Sequence, residues 1–136
     1  MNFQLKQKFF FLGAIGASIF LLFFVISCTW IGFEVKTQCQ TAQRSYGGDC
    51  PQALINLLED EHQNFRSRNS AIWALGQLGD SRALPVLQNL YTANIPPREP
   101  LDKTLSQYEL KKAINLADGG LNLSAFIWRN NILNSK

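Results

Sequence analysis

The feature that most constrains this chain is an apolar run near its N-terminus. From Phe9 to Phe33, 25 consecutive residues carry no charged side chain and are mainly Phe, Leu, Ile, Val and Gly. As an α-helix the run extends about 37 Å, whereas a bilayer core requires about 20 apolar residues. A helix this long and apolar on all sides cannot be buried in a domain built from the rest of the chain. The run therefore predicts a transmembrane helix, with Trp30 and Phe33 suited to the membrane interface.

The charges on either side of the run indicate its orientation. Lys6 and Lys8 precede it without an acidic residue. Glu34 and Lys36 follow it and cancel each other. The positive-inside tendency places the N-terminus in the cytoplasm and the following domain outside. We therefore expect a single-pass membrane protein with an extracytoplasmic domain.

Three fates of the apolar segment are open from the sequence. The first is an uncleaved signal-anchor at residues 9–33, preceded by a cytoplasmic n-region at residues 1–8. The second is a lipoprotein signal that ends at Cys28, because Val25–Cys28 (Val-Ile-Ser-Cys) resembles a bacterial lipobox, whose cysteine is lipidated. The third is an ordinary cleaved signal peptide, although the run exceeds the usual apolar length of about 7–15 residues. Each of the three leaves residues 34–136 as a helical domain beyond the membrane.

The composition of residues 34–136 points to one small folded domain. This part has 11 basic and 10 acidic side chains, because two of the 13 basic residues of the chain precede it. A nearly neutral balance gives no reason to expect nucleic-acid binding. About 100 residues rich in Leu, Ile, Ala and Val can bury a single thin core, unlike a disordered tail.

The three cysteines suggest one disulfide. Cys28 lies in the apolar run, whereas Cys39 and Cys50 lie 11 positions apart at the start of the domain. In an extracytoplasmic domain such a pair can form a bridge, which would contribute about 3 kcal/mol for this loop length. The alternative is two unrelated buried thiols. No metal or cofactor is expected, because His62 is the one histidine and no C-x-x-C motif is present.

The domain contains an internal repeat. The stretch Gly48–Leu54 aligns with Gly79–Leu84, allowing one inserted residue, and each stretch opens a run of apolar residues at helical spacing. Gly-Asp predicts a chain reversal followed by a helix N-cap, and Pro51 suits the first turn of the first helix. Between the two stretches, Asn64–Leu78 predicts a helix with small residues on its packing face.

One stretch of this repeat resembles a known family. Arg68–Leu87 is similar to a HEAT-like repeat of the short type also found in phycobilisome lyases. The matching features are the following residues and runs, with x for any residue: Arg68, Ser70, Ala71, Ala74-Leu75-Gly76-x-Leu78-Gly79-Asp80 and Ala83-Leu84-Pro85-x-Leu87. Trp73 is bulky where such repeats commonly have polar residues. The resemblance implies an all-α fold, in which the N-terminal transmembrane helix is followed by a short α-α superhelix of HEAT-like helical hairpins.

The remainder of the chain predicts a connection and two further helices. The proline-rich segment Ala93–Pro100 cannot be helical throughout. Ser106 and Glu109 form a capping-box pattern that opens a helix, which Asp118–Gly120 ends. Asn122–Ile132 predicts a last helix. Its apolar residues are Leu123, Phe126 and Ile127. We expect these two helices to cap the open end of the stack.

The HEAT-like resemblance implies binding of another protein or peptide. Helical repeat stacks present a concave surface that the second helix of each pair lines, here Pro51–Glu61 and Ser81–Tyr91. The proline-rich segment is long for such a stack, and long ordered loops are often functional. The candidate partner contacts are Asn56, Gln88, Tyr91, Arg98 and Glu99.

Catalysis is not expected from these residues. Glu59, Asp60 and Glu61 are consecutive, so their side chains point in different directions on a helix and do not form an acid–base pair. The sequence predicts a membrane-anchored, extracytoplasmic scaffold or adaptor that is not an enzyme. One alternative is a lipoprotein with a structural role in the bacterial envelope. The lyase resemblance implies another, a protein that handles a small ligand or a chromophore.

Overall fold

The computed structural model describes residues 2–133, and within that range every regular element is helical. The predicted all-α class is confirmed. The elements are α1 (Phe3–Tyr46), α2 (Cys50–Glu59), α3 (Phe65–Leu78), a 3-10 turn (Ser81–Ala83), α4 (Leu84–Leu90), α5 (Gln107–Ala117), α6 (Ala125–Trp128) and a π-helical turn (Arg129–Leu133).

Helix α1 continues from the apolar run into the domain without a break. Its 44 residues start before Phe9 and end after Phe33. All side chains from residue 3 to residue 27 are exposed. The buried residues follow at spacings of four and three, which places them on one face. They are Cys28, Gly32, Val35, Cys39 and Ala42. The domain therefore begins to pack on α1 inside the apolar run, before the predicted boundary at residue 34.

The predicted Gly-Asp turns start helices as expected. The carboxylate of Asp49 accepts the N–H of Gln52 in the first turn of α2. Asp80 accepts the N–H of Arg82 in the 3-10 turn. Gly79 ends α3 in the left-handed conformation, with φ of 63°, which glycine adopts without a Cβ penalty.

Arg82 joins the two Gly-Asp turns to each other. Its guanidinium lies 2.8 Å from a carboxylate oxygen of Asp49 and 2.8 Å from one of Asp80. Hydrogen bonds from Arg82 lower the pKa of both carboxyl groups below their ordinary value. Both Arg82 and Asp49 are more than half exposed, so water screens this bridge and its contribution to stability is small.

The ends of α1 and α2 are also joined by a side-chain hydrogen bond. The hydroxyl of Tyr46 donates to the Asp60 carboxylate at 2.6 Å. This bond lowers the pKa of Asp60 and raises that of Tyr46, because it favours the charged carboxylate and the neutral phenol.

The core is centred on α2 and α3. Leu54 and Leu58 of α2 and Ile72 and Leu75 of α3 are fully buried. Arg68 is buried beside them, and its Nε donates to the Leu58 carbonyl at 2.8 Å, so the basic residue of the HEAT-like motif satisfies a helix end.

Small residues let α5 approach α3 closely, as predicted for the packing face of α3. A Cβ built on Gly76 would lie 2.9 Å from the Cα of Ala113, closer than real Cβ atoms approach. Ala71 and Ala74 on the same helix are fully buried. Backbone contact at this position replaces the side-chain interdigitation of a larger pair.

The connection between α4 and α5 is not helical. We call residues 91–106 the connector; it includes the proline-rich segment. Of the two hydrogen bonds expected for the capping box at the end of the connector, one forms. The Ser106 hydroxyl accepts the N–H of Glu109 at 3.1 Å as predicted. The reciprocal bond is absent from the described structure, because the N–H of Ser106 donates to Asn69 instead.

The prediction of one last helix at Asn122–Ile132 is wrong in extent. Only Ala125–Trp128 is α-helical, and the chain then widens into the π-helical turn. Ala125, Trp128 and Ile132 are buried, whereas Leu123 and Phe126 are exposed. This part packs on α1, while α5 covers α3 and α4. Asn122 and Arg129 also hydrogen-bond Gln77 at the end of α3, so both parts meet the repeat helices, and α5 covers them more extensively.

Candidate functional site

A groove with a volume of about 740 Å³ opens between α1, α3, the first turn of α5 and the connector. Its lining combines charged, polar and apolar side chains. The lining residues are Glu34, Gln38, Arg66, Asn69, Ser70, Trp73, Arg98, Glu99, Pro100, Leu101, Asp102 and Glu109.

Asn69 fastens the connector to α3 and so holds one wall of the groove. Its side-chain amide donates to the carbonyls of Leu101 and Thr104, at 3.0 and 2.9 Å. Its Oδ1 accepts the N–H of Ser106 at 2.8 Å. Asn69 and Ser106 are both buried, so these bonds replace water as the partners of the connector backbone.

Glu99 fastens the same wall to α5. One of its carboxylate oxygens accepts the Ser106 hydroxyl at 2.5 Å. The other accepts the N–H groups of Gln107 and Tyr108, at 2.6 and 3.3 Å. A carboxylate at this place satisfies the free N–H groups of the first turn and opposes the positive end of the helix dipole. Glu99 thus has a structural role in addition to its predicted partner contact.

The rim of the groove carries both signs of charge. The basic side chains Arg66 and Arg98 are exposed. The acidic side chains Glu34 and Asp102 are exposed as well. Glu109 is half-buried. A rim of mixed sign fits a polypeptide, whereas a nucleic acid requires a mainly basic surface.

Trp73 supplies the aromatic surface of the groove. It is half-buried on α3 and packs against the core. A large, rigid aromatic side chain that is partly buried in a concave site resembles the anchors that dominate binding energy at protein interfaces.

Of the five predicted partner contacts, two line the groove and three do not. Arg98 and Glu99 line the groove. Asn56 lies half-buried on α2, Gln88 is exposed on α4, and Tyr91 packs against the core; none of the three lines the groove. The second helices of the repeat therefore contribute no residue to this groove, and the concave surface expected on them stays a prediction.

Sequence reasoning missed the residues that α1 and α3 contribute. Glu34 and Gln38 were missed because no signal indicated that the helix continues past the apolar run. Arg66 and Trp73 were missed because the first helix of a pair was not expected to line a binding surface. The bulk of Trp73 at a commonly polar position was the one available signal.

The cysteines occupy two environments. Cys39 and Cys50 lie at disulfide distance, with their Cα atoms 4.9 Å apart, within the range that a bridge requires. Cys28 is a free, buried thiol within the unbroken helix α1. Across residues 2–133, no three His, Cys, Asp or Glu side chains are grouped so as to hold a metal ion.

Comparison with known proteins identifies one family model that matches the repeat. Residues 67–92 match the family model described as PBS lyase HEAT-like repeat. The match spans most of α3, the 3-10 turn and α4, and it confirms the resemblance predicted for Arg68–Leu87. No curated protein and no solved structure matches the chain. Within residues 2–133, α1 alone is long and apolar enough to cross a membrane, judged by length and composition.

Proposed function

We propose that this protein is a membrane-anchored, extracytoplasmic module that binds another protein or peptide and is not an enzyme. The proposal starts from the HEAT-like repeat at residues 67–92 and the membrane-compatible helix that precedes it. The groove carries the proposal, because it combines the half-buried Trp73 with a rim of both charges. HEAT-like repeats are helical repeat modules that generally mediate protein interactions.

The groove lies next to the end of the apolar run. Glu34 directly follows Phe33, and Gln38 is one turn further along α1. At about 1.5 Å per residue, Gln38 is about 7 Å beyond the run. A partner bound here is therefore a polypeptide that reaches the membrane surface, such as the region of an envelope protein close to its own anchor.

The position of Cys28 supports the signal-anchor over the lipoprotein alternative. Lipoprotein processing would make this residue the start of α1, and the lipid on its sulfur would have to extend into the bilayer. Cys28 is instead buried on the face of α1 that packs against the domain. Two lysines before the run and an oxidisable pair after it are consistent with a cytoplasmic N-terminus and an extracytoplasmic domain.

A small ligand is a second candidate occupant of the groove. Its volume of about 740 Å³ lies within the range of small-molecule sites, and Trp73 offers a stacking surface. Such a ligand would raise the unfolding temperature of the purified protein, whereas a polypeptide partner would form cross-linked adducts in cells.

Photo-cross-linking in intact cells tests the proposal. A photoreactive amino acid is placed at Arg66 or Arg98 in the groove, or at Asn56 or Gln88 on the second helices. The groove positions should give a defined protein adduct that a chain ending after the apolar run does not give. Adducts at Asn56 and Gln88 alone would assign the partner to the second-helix surface.

A substitution in the groove provides the matched control. Trp73→Ala should remove the adducts formed from Arg66, because the aromatic anchor is lost. Trp30→Ala, an exposed tryptophan of α1 outside the groove, should leave them unchanged. Absence of adducts at all four labelled positions would contradict the proposed protein-binding function.

A further inference from the structure

The last described part of the chain packs on α1 at the edge of the apolar run. We call residues 121–133 the C-terminal segment; it includes α6 and the π-helical turn. Trp128 is fully buried, and a Cβ built on Gly32 would overlap the Cβ of Trp128 and crowd Ile132. The C-terminal segment therefore touches the backbone of α1 at Gly32.

This contact lies at the membrane surface when α1 spans a bilayer. Lys8 and Glu34 bound the uncharged part of the helix. About 20 residues of helix cross the hydrocarbon core, and counted from Lys8 they end at Cys28. Gly32 is one turn further along, about 6 Å outside the core and level with the lipid headgroups.

The C-terminal segment exposes large apolar side chains. Leu121, Leu123 and Phe126 are 74%, 60% and 76% exposed. On α1, Trp30 and Phe33 are 74% and 58% exposed close to the same level. A single exposed apolar side chain is ordinary, but a group beside a wholly apolar helix marks an interaction surface.

The same segment is nearly free of charge. Arg129 is its one ionisable side chain. The guanidinium of Arg129 donates to the Gln77 carbonyl at 2.8 Å, and partial burial lowers its pKa. The segment has no carboxylate to oppose lipid phosphates, and its aromatic and apolar content suits the boundary between water and lipid.

We propose that the C-terminal segment is a second membrane contact, in which Leu121, Leu123 and Phe126 enter the interface of the bilayer that α1 spans. The occupant of this surface is lipid, because the segment packs on α1 at Gly32, near the end of the apolar run, and carries no carboxylate beside its exposed apolar side chains. Two contacts hold the domain at one tilt, so the groove opens along the membrane surface. This inference rests on the membrane anchoring in the proposed function.

Spin labelling of the full chain in phosphatidylcholine vesicles tests this contact. Cys28→Ala removes the free thiol, and the Cys39–Cys50 pair is kept oxidised. Phe126→Cys carries the nitroxide, with Leu123→Cys as a second variant. Both replaced side chains are exposed, so the substitutions leave the core intact. Collisions with oxygen, which concentrates in lipid, are compared with collisions with a water-soluble nickel chelate.

Two matched positions calibrate the result. Phe20→Cys places the label in the apolar half of α1, and Gln88→Cys places it on exposed α4. Labels at positions 126 and 123 should collide several-fold less with nickel than the label at position 88, and more with oxygen.

Each other outcome overturns the inference in a distinguishable way. Equal nickel accessibility at positions 126 and 88, with position 20 in lipid, refutes the second contact alone. Nickel accessibility at position 20 refutes membrane anchoring as well. Shielding of position 126 from both reagents, with spin–spin broadening, would show that a second copy of the chain covers the surface instead of lipid.

Discussion

Replacing Asn69 should loosen the connector and destabilise the domain. Asn69→Ala removes three hydrogen bonds, two to the carbonyls of Leu101 and Thr104 and one from the N–H of Ser106. Each such bond contributes about 1 kcal/mol net, which gives a loss of about 3 kcal/mol. The higher helix propensity of alanine offsets about 0.6 kcal/mol of this loss. We expect the free energy of unfolding to fall by about 2 kcal/mol.

Urea unfolding of the full chain in a neutral detergent measures this change. Tryptophan fluorescence follows the domain, because Trp128 is buried and Trp73 is half-buried. For a domain of about 100 residues, 2 kcal/mol corresponds to a decrease in melting temperature on the order of 10 °C. Asn69→Asp keeps the acceptor for Ser106 but turns a carboxylate towards the two carbonyls. This variant should therefore lose at least as much free energy of unfolding as Asn69→Ala.

An exposed asparagine on α4 is the matched control. Asn89→Ala has the same gain in helix propensity and no buried bond to lose, so its stability should change by no more than about 0.6 kcal/mol, in the stabilising direction. If Asn69→Ala and Asn89→Ala have the same stability, the three hydrogen bonds do not hold the connector and the reasoning is refuted.

Two further predictions concern the start of the domain. Cys39→Ser, which prevents a bridge to Cys50, should lower the free energy of unfolding by about 3 kcal/mol for this loop length. In the unsubstituted chain, alkylation after denaturation without reduction should modify neither Cys39 nor Cys50. Tyr46→Phe should destabilise the protein at pH 7, because Asp60 loses its phenol donor. The folded-state pKa of Asp60 is lowered, so this contribution is present above its unfolded pKa of about 3.9 and is lost as the pH falls through the folded value. Melting temperatures measured from pH 7 to pH 2.5 should therefore converge for the two proteins.

The chain supplies a control for each of these experiments. Alkylation without reduction should modify Cys28 alone, and modification at all three cysteines would contradict the bridge. Tyr108→Phe, at a tyrosine that is 54% exposed, should leave the melting temperature unchanged at every pH. A Tyr46→Phe difference that is as large at pH 2.5 as at pH 7 would show that the Asp60 carboxylate is not the partner concerned.

The sequence by itself determined the features that depend on neighbouring residues. The apolar run predicts a membrane-compatible helix because hydrophobicity and length are local quantities. Asp49 and Asn64 start α2 and α3 because a capping side chain needs only the N–H groups of the next turn. The HEAT-like resemblance rests on motif residues between Arg68 and Leu87, which are close together in the sequence.

Only the tertiary structure decided the groove and the packing of the C-terminal segment. Asn69 bonds residues 32 to 37 positions away, and nothing in its own helix indicates those partners. Gly32 receives Trp128 from the far end of the chain, a contact that requires the whole domain to be folded. The buried face of α6 does not follow from its own residues, because a short apolar segment can turn either side inwards. Which side is buried depends on the surface that α1 presents to it, and that surface exists only once distant parts of the chain have met.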